Sequence, residues 1–170
     1  LASIYTGHGA AAVSVLTDPR FQGELGHIEQ IKRLGAARNS PVLRKDFIFD
    51  PYQVVETRAA GADAMLLIVA ILEPAQLKEL LEAAQAHWMQ CLVEVHDEAE
   101  LETAVDAGAD IVGINNRDLR TFTTDLSVTE RLAPLVPRGK QIVSESGIFT
   151  REHLSQMNRV RVNAVLVGEA

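Results

Sequence analysis

What is scarce in this chain narrows its function before any motif is read. There is one cysteine, Cys91, in 170 residues, so no internal disulfide can close, and a reducing cytoplasm is the expected setting. Basic residues are outnumbered, 16 Lys and Arg against 23 Asp and Glu for a net charge of −7, and they form no run. A polyanion-binding protein normally shows a basic patch, so neither nucleic acid nor a membrane surface is an expected partner. A small anionic substrate stays open, because a few local donors can hold it against the overall field. No apolar run is long enough to span a bilayer, and no segment reads as a signal peptide. None of the five histidines has metal-ligand spacing, so no metal is expected.

What is abundant is material for a core: 47% of the residues are hydrophobic, and the length suits one domain over residues 1–170. Short runs rich in Val, Ile and Leu recur, at Ala12–Leu16, Val42–Leu43 leading into Arg44 and Lys45, and Ala64–Ala70. Four more follow at Cys91–Val95, Ile111–Asn115, Gln141–Ser144 and Ala164–Val167. Their near-continuous hydrophobicity suits strands covered on both faces, as in a parallel sheet. Successive starts lie 20 to 30 residues apart, room for a crossover helix and two loops.

Helix punctuation fills the gaps. Asp50-Pro51-Tyr52-Gln53 offers an N-cap acid, a proline at the first helical position and glutamine at N3, and Gly61 closes that helix. Asp97-Glu98-Ala99-Glu100 reads as a second capping box, ending at Gly108. Leu77, Leu80, Leu81 and Ala84 form one apolar stripe, and Ile4–Gly7 reads as a helix tail leading into the first strand. A phrase introducing a strand repeats at Gly9, Gly61, Gly108 and Arg161, with spacings of 52, 47 and 53 residues. It marks every second βα unit, which suits a barrel of similar quarters.

These features predict an α/β fold, a parallel (β/α)8 TIM barrel with seven strands visible. A complete barrel has eight, over roughly 200 to 250 residues or more, so the chain reads as a piece missing its first strand and last helix. A doubly wound sheet would want G-x-G-x-x-G after an early strand, and none is present.

Barrel chemistry sits at strand C-termini and in the loops that follow. Lys45 and Asp46 end the second visible strand, Glu94 and His96 the fourth, and Asn115, Asn116 and Arg117 the fifth. Glu145, Ser146 and Gly147 end the sixth, and Gly168 and Glu169 the seventh. Lys45 and Glu94 carry most weight: a lysine can protonate a carbonyl oxygen, and a partly buried glutamate can move protons near neutral pH. The bland alternative is an ion pair at the barrel mouth. With Asn115 and Glu145 on the same rim, the site reading is preferred. Ser146-Gly147 and Gly168-Glu169 follow the last two strands, where many barrels hold a phosphate; small residues let backbone N–H groups approach an anion. Two ordinary tight turns would look the same. Arg117 suits either an anion contact or an ion pair with Asp118 or Glu145. His96 reads as a capping or packing residue, Cys91 and Trp88 as structural, and Asp46 as a partner for loop backbone. Lys45, Glu94, Asn115 and Ser146 are expected at one common mouth.

Taken together, these phrases resemble the indole-3-glycerol-phosphate synthase family of tryptophan biosynthesis. The matching stretches are Ser14-Val15-Leu16-Thr17-Asp18, Pro41-Val42-Leu43-Arg44-Lys45-Asp46-Phe47 and Leu66-Leu67-Ile68-Val69. Leu92-Val93-Glu94-Val95-His96, Gly113-Ile114-Asn115-Asn116-Arg117-Asp118-Leu119, Ser144-Glu145-Ser146-Gly147-Ile148 and Leu166-Val167-Gly168-Glu169 follow in family order. The resemblance implies a lyase, a carboxy-lyase without metal or organic cofactor, acting on a small phosphorylated substrate. That substrate is 1-(2-carboxyphenylamino)-1-deoxyribulose 5-phosphate; the products are indole-3-glycerol phosphate, CO2 and water. Lys45 would be the general acid at the ketone, Glu94 would serve the acid–base steps of dehydration, and Asn115 and Glu145 would orient the substrate. Phe47 and Leu66 would shape the aromatic pocket, while Ser146, Gly147, Gly168 and Glu169 would hold the phosphate.

The family's first strand carries a Glu and a Lys, followed by a Ser-Pro-Ser loop, and none of these lies within residues 1–170. Little turnover is therefore expected from these residues alone. Other phosphate-binding barrels remain alternatives, namely phosphoribosylanthranilate isomerase or an aldolase using Lys45 as a Schiff base. So does a binding-only fragment. Fusion to another tryptophan-pathway enzyme is left open.

Overall fold

A computed structural model describes residues 1–33, 39–118 and 120–168. Its strands are β1 (Val13–Leu16), β2 (Val42–Lys45), β3 (Ala64–Ile68), β4 (Gln90–Val95), β5 (Ile111–Asn115), β6 (Gln141–Glu145) and β7 (Ala164–Leu166). The helices are α1 (Ala2–Gly7), α2 (Gly26–Arg33), α3 (Pro51–Ala59), α4 (Pro74–Ala86), α5 (Glu98–Asp106), α6 (Ser127–Leu132) and α7 (Arg151–Arg159). The sheet runs in chain order from β1 to β7. With helices alternating between parallel strands, the topology is that of an incomplete parallel (β/α)8 barrel. β1 and β7 are each one residue shorter than their apolar runs, and β3 is two shorter: it stops at Ile68, and Val69–Ile71 turn as a 3-10 helix.

The chain divides into two compact units, 1–67 with 79–91, and 68–78 with 92–170. In the first, β1 pairs β2 from Val13↔Val42 to Leu16↔Lys45, and β2 pairs β3 at Leu43↔Ala64 and Arg44↔Met65. Val13, Val15, Ile28, Val42, Ala60 and Ala62 form a buried cluster there. In the second, β4 pairs β5 from Leu92↔Ile111, β5 pairs β6 through Asn115↔Glu145, and β6 pairs β7 through Glu145↔Leu166. Val93, Val95, Val112, Ile114, Leu101 and Ala104 are buried in this unit. Burial of both pleat faces explains why the strands read as unbroken apolar runs.

The helix signals act as their residue types predict, with one diversion. Asp50 accepts the Tyr52 N–H at 2.8 Å, and Gln53 Oε1 returns to accept the Asp50 N–H at 3.0 Å, a complete capping box. Asp97 likewise accepts the Glu100 N–H at 2.9 Å. Glu100, however, sends its carboxylate to the His96 backbone N–H at 2.8 Å. The expected second box is therefore half made, the glutamate accepting the His96 N–H instead.

The strand-introducing repeat has a physical cause. Gly9, Gly61, Gly108 and Arg161 all adopt positive φ, between 63° and 96°. Beside them Ala10, Ala62, Ala109 and Val162 donate back to the carbonyls of Tyr5, Thr57, Ala104 and Met157. Each corner is a helix stop closed by a six-to-one backbone bond, with a left-handed residue at its apex. Asp63 and Asn163 add a clamp: their side chains accept the N–H groups of Val42 and Ile142, both at 2.7 Å.

Trp88 departs from its structural reading. It is 89% exposed, with φ of 59°, at the corner after α4 where Met89 donates to the Ala84 carbonyl. The indole fills no core; the residue occupies the left-handed position that glycine holds at the equivalent corners. Cys91 keeps its structural reading: burial pushes the thiol up to about 12, leaving it inert at neutral pH. No helix among the described residues is long and apolar enough to cross a membrane.

Candidate active site

In the second unit, polar side chains gather where β4, β5 and β6 end. Parallel strands present their C-terminal ends side by side, so the β5–β6 register sets Asn115 directly against Glu145. Asn115 Nδ2 donates to Glu94 Oε1 at 3.0 Å, while Asn115 Oδ1 accepts from Ser146 Oγ at 2.9 Å and from the Arg117 N–H at 3.0 Å. One amide thus fixes a carboxylate from β4, a hydroxyl beyond β6 and the backbone of its own loop. Glu94, Asn115 and Glu145 are 2%, 8% and 1% exposed. Carboxylates are rarely so buried unless they are held by partners.

His96, read as a capping or packing residue, extends this chain of contacts. Its Nδ1 lies 2.9 Å from Glu100 Oε2, and its Nε2 lies 3.3 Å from Glu94 Oε1 as an ion-pair contact. Burial alone lowers an imidazole's affinity for a proton, but the bonds to Glu100 and Glu94 outweigh it. The group is raised to about 9.

Glu145 depends on an absence. A Cβ at Gly113 would stand 2.2 Å from Glu145 Oε1 and 3.1 Å from Leu92 Cδ1, so glycine makes room for the carboxylate. Behind the strand ends, Asn116 ties β5, β6 and α6 together. Its Nδ2 donates to Ser144 Oγ (3.0 Å) and to the carbonyls of Glu145 (3.0 Å) and Ser146 (3.1 Å). Its Oδ1 accepts from Thr129 Oγ1 at 2.8 Å and from the Thr129 N–H at 3.1 Å. Ser146 and Gly147 have successive positive φ of 66° and 80°, and the Thr124 methyl lies 2.5 Å from where a Gly147 Cβ would be. Gly168 is exposed after β7, and Glu169 lies outside the described residues.

In the first unit, side chains alternate along β2. Arg44 packs toward α3, and Lys45, half-buried, leaves the other face. Arg44, 5% exposed, donates to Glu56 Oε2 (2.8 Å), Thr57 Oγ1 (2.9 Å), Thr17 Oγ1 (3.1 Å) and Asp46 Oδ2 (3.0 Å). Asp46 Oδ1 also accepts the Phe47 N–H at 2.8 Å, so it serves loop backbone as read and pairs with Arg44 besides. Phe47 stacks on Phe21 with centroids 6.5 Å apart, and the Arg20 guanidinium lies 4.7 Å from the Phe47 ring centroid. Leu66 is buried within β3 at 2% exposure. No group of His, Cys, Asp and Glu suited to a metal ion occurs among the described residues.

The strand-end rule therefore found Glu94, Asn115, Glu145 and Ser146, which unit two brings together. It named Asn116 without its architectural role, and it missed Arg44, Glu100, Thr129 and Ser144. A histidine two residues after a strand-end glutamate, with another glutamate four further on, was the readable sign of the His96 cluster.

Comparison with known proteins identifies the family and the fold. The family model for indole-3-glycerol phosphate synthase matches residues 1–170. The enzyme of that name from Dehalococcoides mccartyi strain CBDB1 is 54% identical over the whole chain, that from Roseiflexus sp. strain RS-1 is 55% identical, and that from Bordetella pertussis 51%. The chain spans 64 to 66% of the length of these relatives. Among solved structures, KGPDC from Streptococcus mutans superposes with a TM-score of 0.78 at 16% identity, covering 98% of this chain and 80% of that one. The 3-hexulose-6-phosphate synthase of Salmonella typhimurium gives 0.76 at 18%, covering 92% and 76%. These two likenesses show the fold, and the sequence relatives show the family. Matched over its full length by the family model and 51 to 55% identical to these relatives, the chain belongs to the indole-3-glycerol phosphate synthase family.

Proposed function

We propose that the protein carrying this chain closes the indole ring, converting 1-(2-carboxyphenylamino)-1-deoxyribulose 5-phosphate to indole-3-glycerol phosphate, CO2 and water. The ring carbon bearing the carboxylate attacks the ketone carbon, and the carbonyl oxygen takes a proton. Loss of CO2 restores the aromatic ring. The new hydroxyl then leaves as water while the adjacent methylene gives up a proton, so the atoms balance.

Lys45 is the proposed donor to the carbonyl oxygen, and Glu94 the group that moves protons during dehydration. General acid–base groups of this kind contribute about 10²- to 10⁴-fold each. Asn115, Arg117 and Glu145 orient the substrate, and Phe47 and Leu66 meet its aromatic ring. The phosphate falls to Ser146, Gly147, Gly168 and Glu169; left-handed backbone at Ser146 and Gly147 favours a concave array of N–H groups.

The observation that carries this reading is Asn115 joining Glu94 to Ser146 at 3.0 and 2.9 Å. The test is turnover of the full-length protein, followed by indole fluorescence and CO2 release. Glu94→Gln and Lys45→Met should each lower kcat by about 10²-fold or more. Wild-type protein that binds the substrate but never releases indole-3-glycerol phosphate would refute the proposal.

A further inference from the structure

We infer that His96 is a positioning residue for Glu94: Glu100 clamps the ring so that its far nitrogen holds the Glu94 carboxylate at one orientation. The inference deepens the acid–base role proposed for Glu94 and rests on it for its catalytic readout.

His96 stands just beyond β4, and its ring lies between two carboxylates. One oxygen, Glu100 Oε2, takes both the His96 backbone N–H at 2.8 Å and the ring Nδ1 at 2.9 Å. This double grip from the first turn of α5 sets the ring's direction. The opposite nitrogen then meets Glu94 Oε1 at 3.3 Å, the oxygen that also accepts from Asn115. Glu94 is thereby approached from β5 by a neutral donor and from its own loop by a ring nitrogen. The two side chains are 17% and 3% exposed, so water screens the pair weakly.

The charged groups acting on the ring are Glu94 from β4, Glu100 from α5 and Asp118 from the segment after β5, whose carboxyl is itself held low. Arg117 precedes Asp118 in that segment. Two close carboxylates outweigh the burial that disfavours an imidazolium, so His96 remains cationic through neutral pH. A fixed cation beside a carboxylate makes that carboxylate harder to protonate.

The experiment compares pH profiles of kcat/KM for the full-length protein, His96→Asn and Glu100→Gln. The limb that Glu94→Gln abolishes should move to higher pH by about one unit in His96→Asn. It should move the same way but less in Glu100→Gln, with KM nearly unchanged. A limb that stays in place in His96→Asn overturns the inference, whatever happens to the overall rate. The second arm needs no turnover: the imidazole resonances of labelled protein are titrated, with His96 assigned by its loss in His96→Asn. In wild type the ring should titrate near 9 and fall in both Glu94→Gln and Glu100→Gln. Titration at an ordinary histidine value in wild type overturns the inference even if the lyase reaction proceeds. Absence of lyase turnover with a high-titrating, Glu94-sensitive ring would instead sink the proposed reaction and leave the clamp standing. If His96→Asn does not fold, Glu100→Gln and the wild-type titration decide between these outcomes.

Discussion

A methyl group at position 113 would meet Glu145 Oε1 at 2.2 Å and the Leu92 side chain at 3.1 Å, so the end of the Glu145 side chain has to give way. Gly113→Ala should therefore turn the Glu145 carboxylate away from its present direction. Misplacing an orienting group by about 1 Å can cost about 10²-fold in rate, so kcat should fall by roughly that factor. The overpacking itself should cost about 1 to 3 kcal/mol, measurable by urea titration. Full activity with unchanged stability would show that Glu145 does not need this space. Asn116 makes the contrasting case: it serves architecture behind the strand ends. Truncation in Asn116→Ala strands the buried hydroxyls of Ser144 and Thr129, 0% exposed, and frees two carbonyls from a donor. Unsatisfied buried groups cost about 1 to 3 kcal/mol each; because Ser144 and Thr129 still bond each other at 2.9 Å, a total near 3 kcal/mol is expected. Denaturant midpoints check this value.

At the scale of elements, the corners make the cleanest prediction. Trp88 sits where Gly61 and Gly108 sit, with φ of 59° against 92° and 96°. Left-handed backbone costs a side-chain-bearing residue about 1 to 2 kcal/mol, part of which glycine returns through its freer unfolded chain. Trp88→Gly should stabilise the protein by about 0.5 to 1 kcal/mol, seen as a higher Tm, whereas Trp88→Ala should bring no such gain. The corners also show why the elements were legible from sequence. A helix stop needs a residue tolerant of positive φ, so three of the four repeats carry glycine, and doubly covered strands must be apolar throughout. The same logic explains the misread end of β3. Val69 and Ala70 are apolar like the strand before them, and an apolar run does not distinguish extended backbone from a 3-10 turn. Glu100 escaped because two donors compete for one carboxylate, and spacing alone does not decide which wins. Arg44 escaped because its partners Glu56 and Thr57 come from a helix that only the fold brings alongside.

For the whole molecule, the buried cluster around His96 links folding to pH. Its folded value of about 9 lies above the roughly 6.5 of an unfolded histidine. The stabilisation it provides is therefore complete below about pH 6.5 and is lost as the pH rises through about 9. With the side chain 17% exposed, the loss across that window should be of order 3 kcal/mol at most. Asp118 and Asp125, held low chiefly by hydrogen bonds from the residues that follow them, act in the other sense. Their contribution is present above an unfolded aspartate's range and fades in acid. Stability should thus be greatest between about pH 5 and 6.5 and decline on the alkaline side. Denaturant midpoints at pH 6 and 9.5 for wild type and His96→Asn test it. The variant should keep only the smaller decline that the buried Cys91 thiol causes above about pH 8.5, and an equal decline in both would place its origin elsewhere.

The left-handed corners at Gly61, Gly108 and Arg161 lie where strands begin, whereas Lys45, Asn115 and Glu145 lie where strands finish. Folding instructions and the groups proposed for chemistry thus occupy separate addresses along each βα unit. A lineage that keeps those corners, and buried ties such as Asn116, can vary the other residues after each strand while its helix stops stay intact.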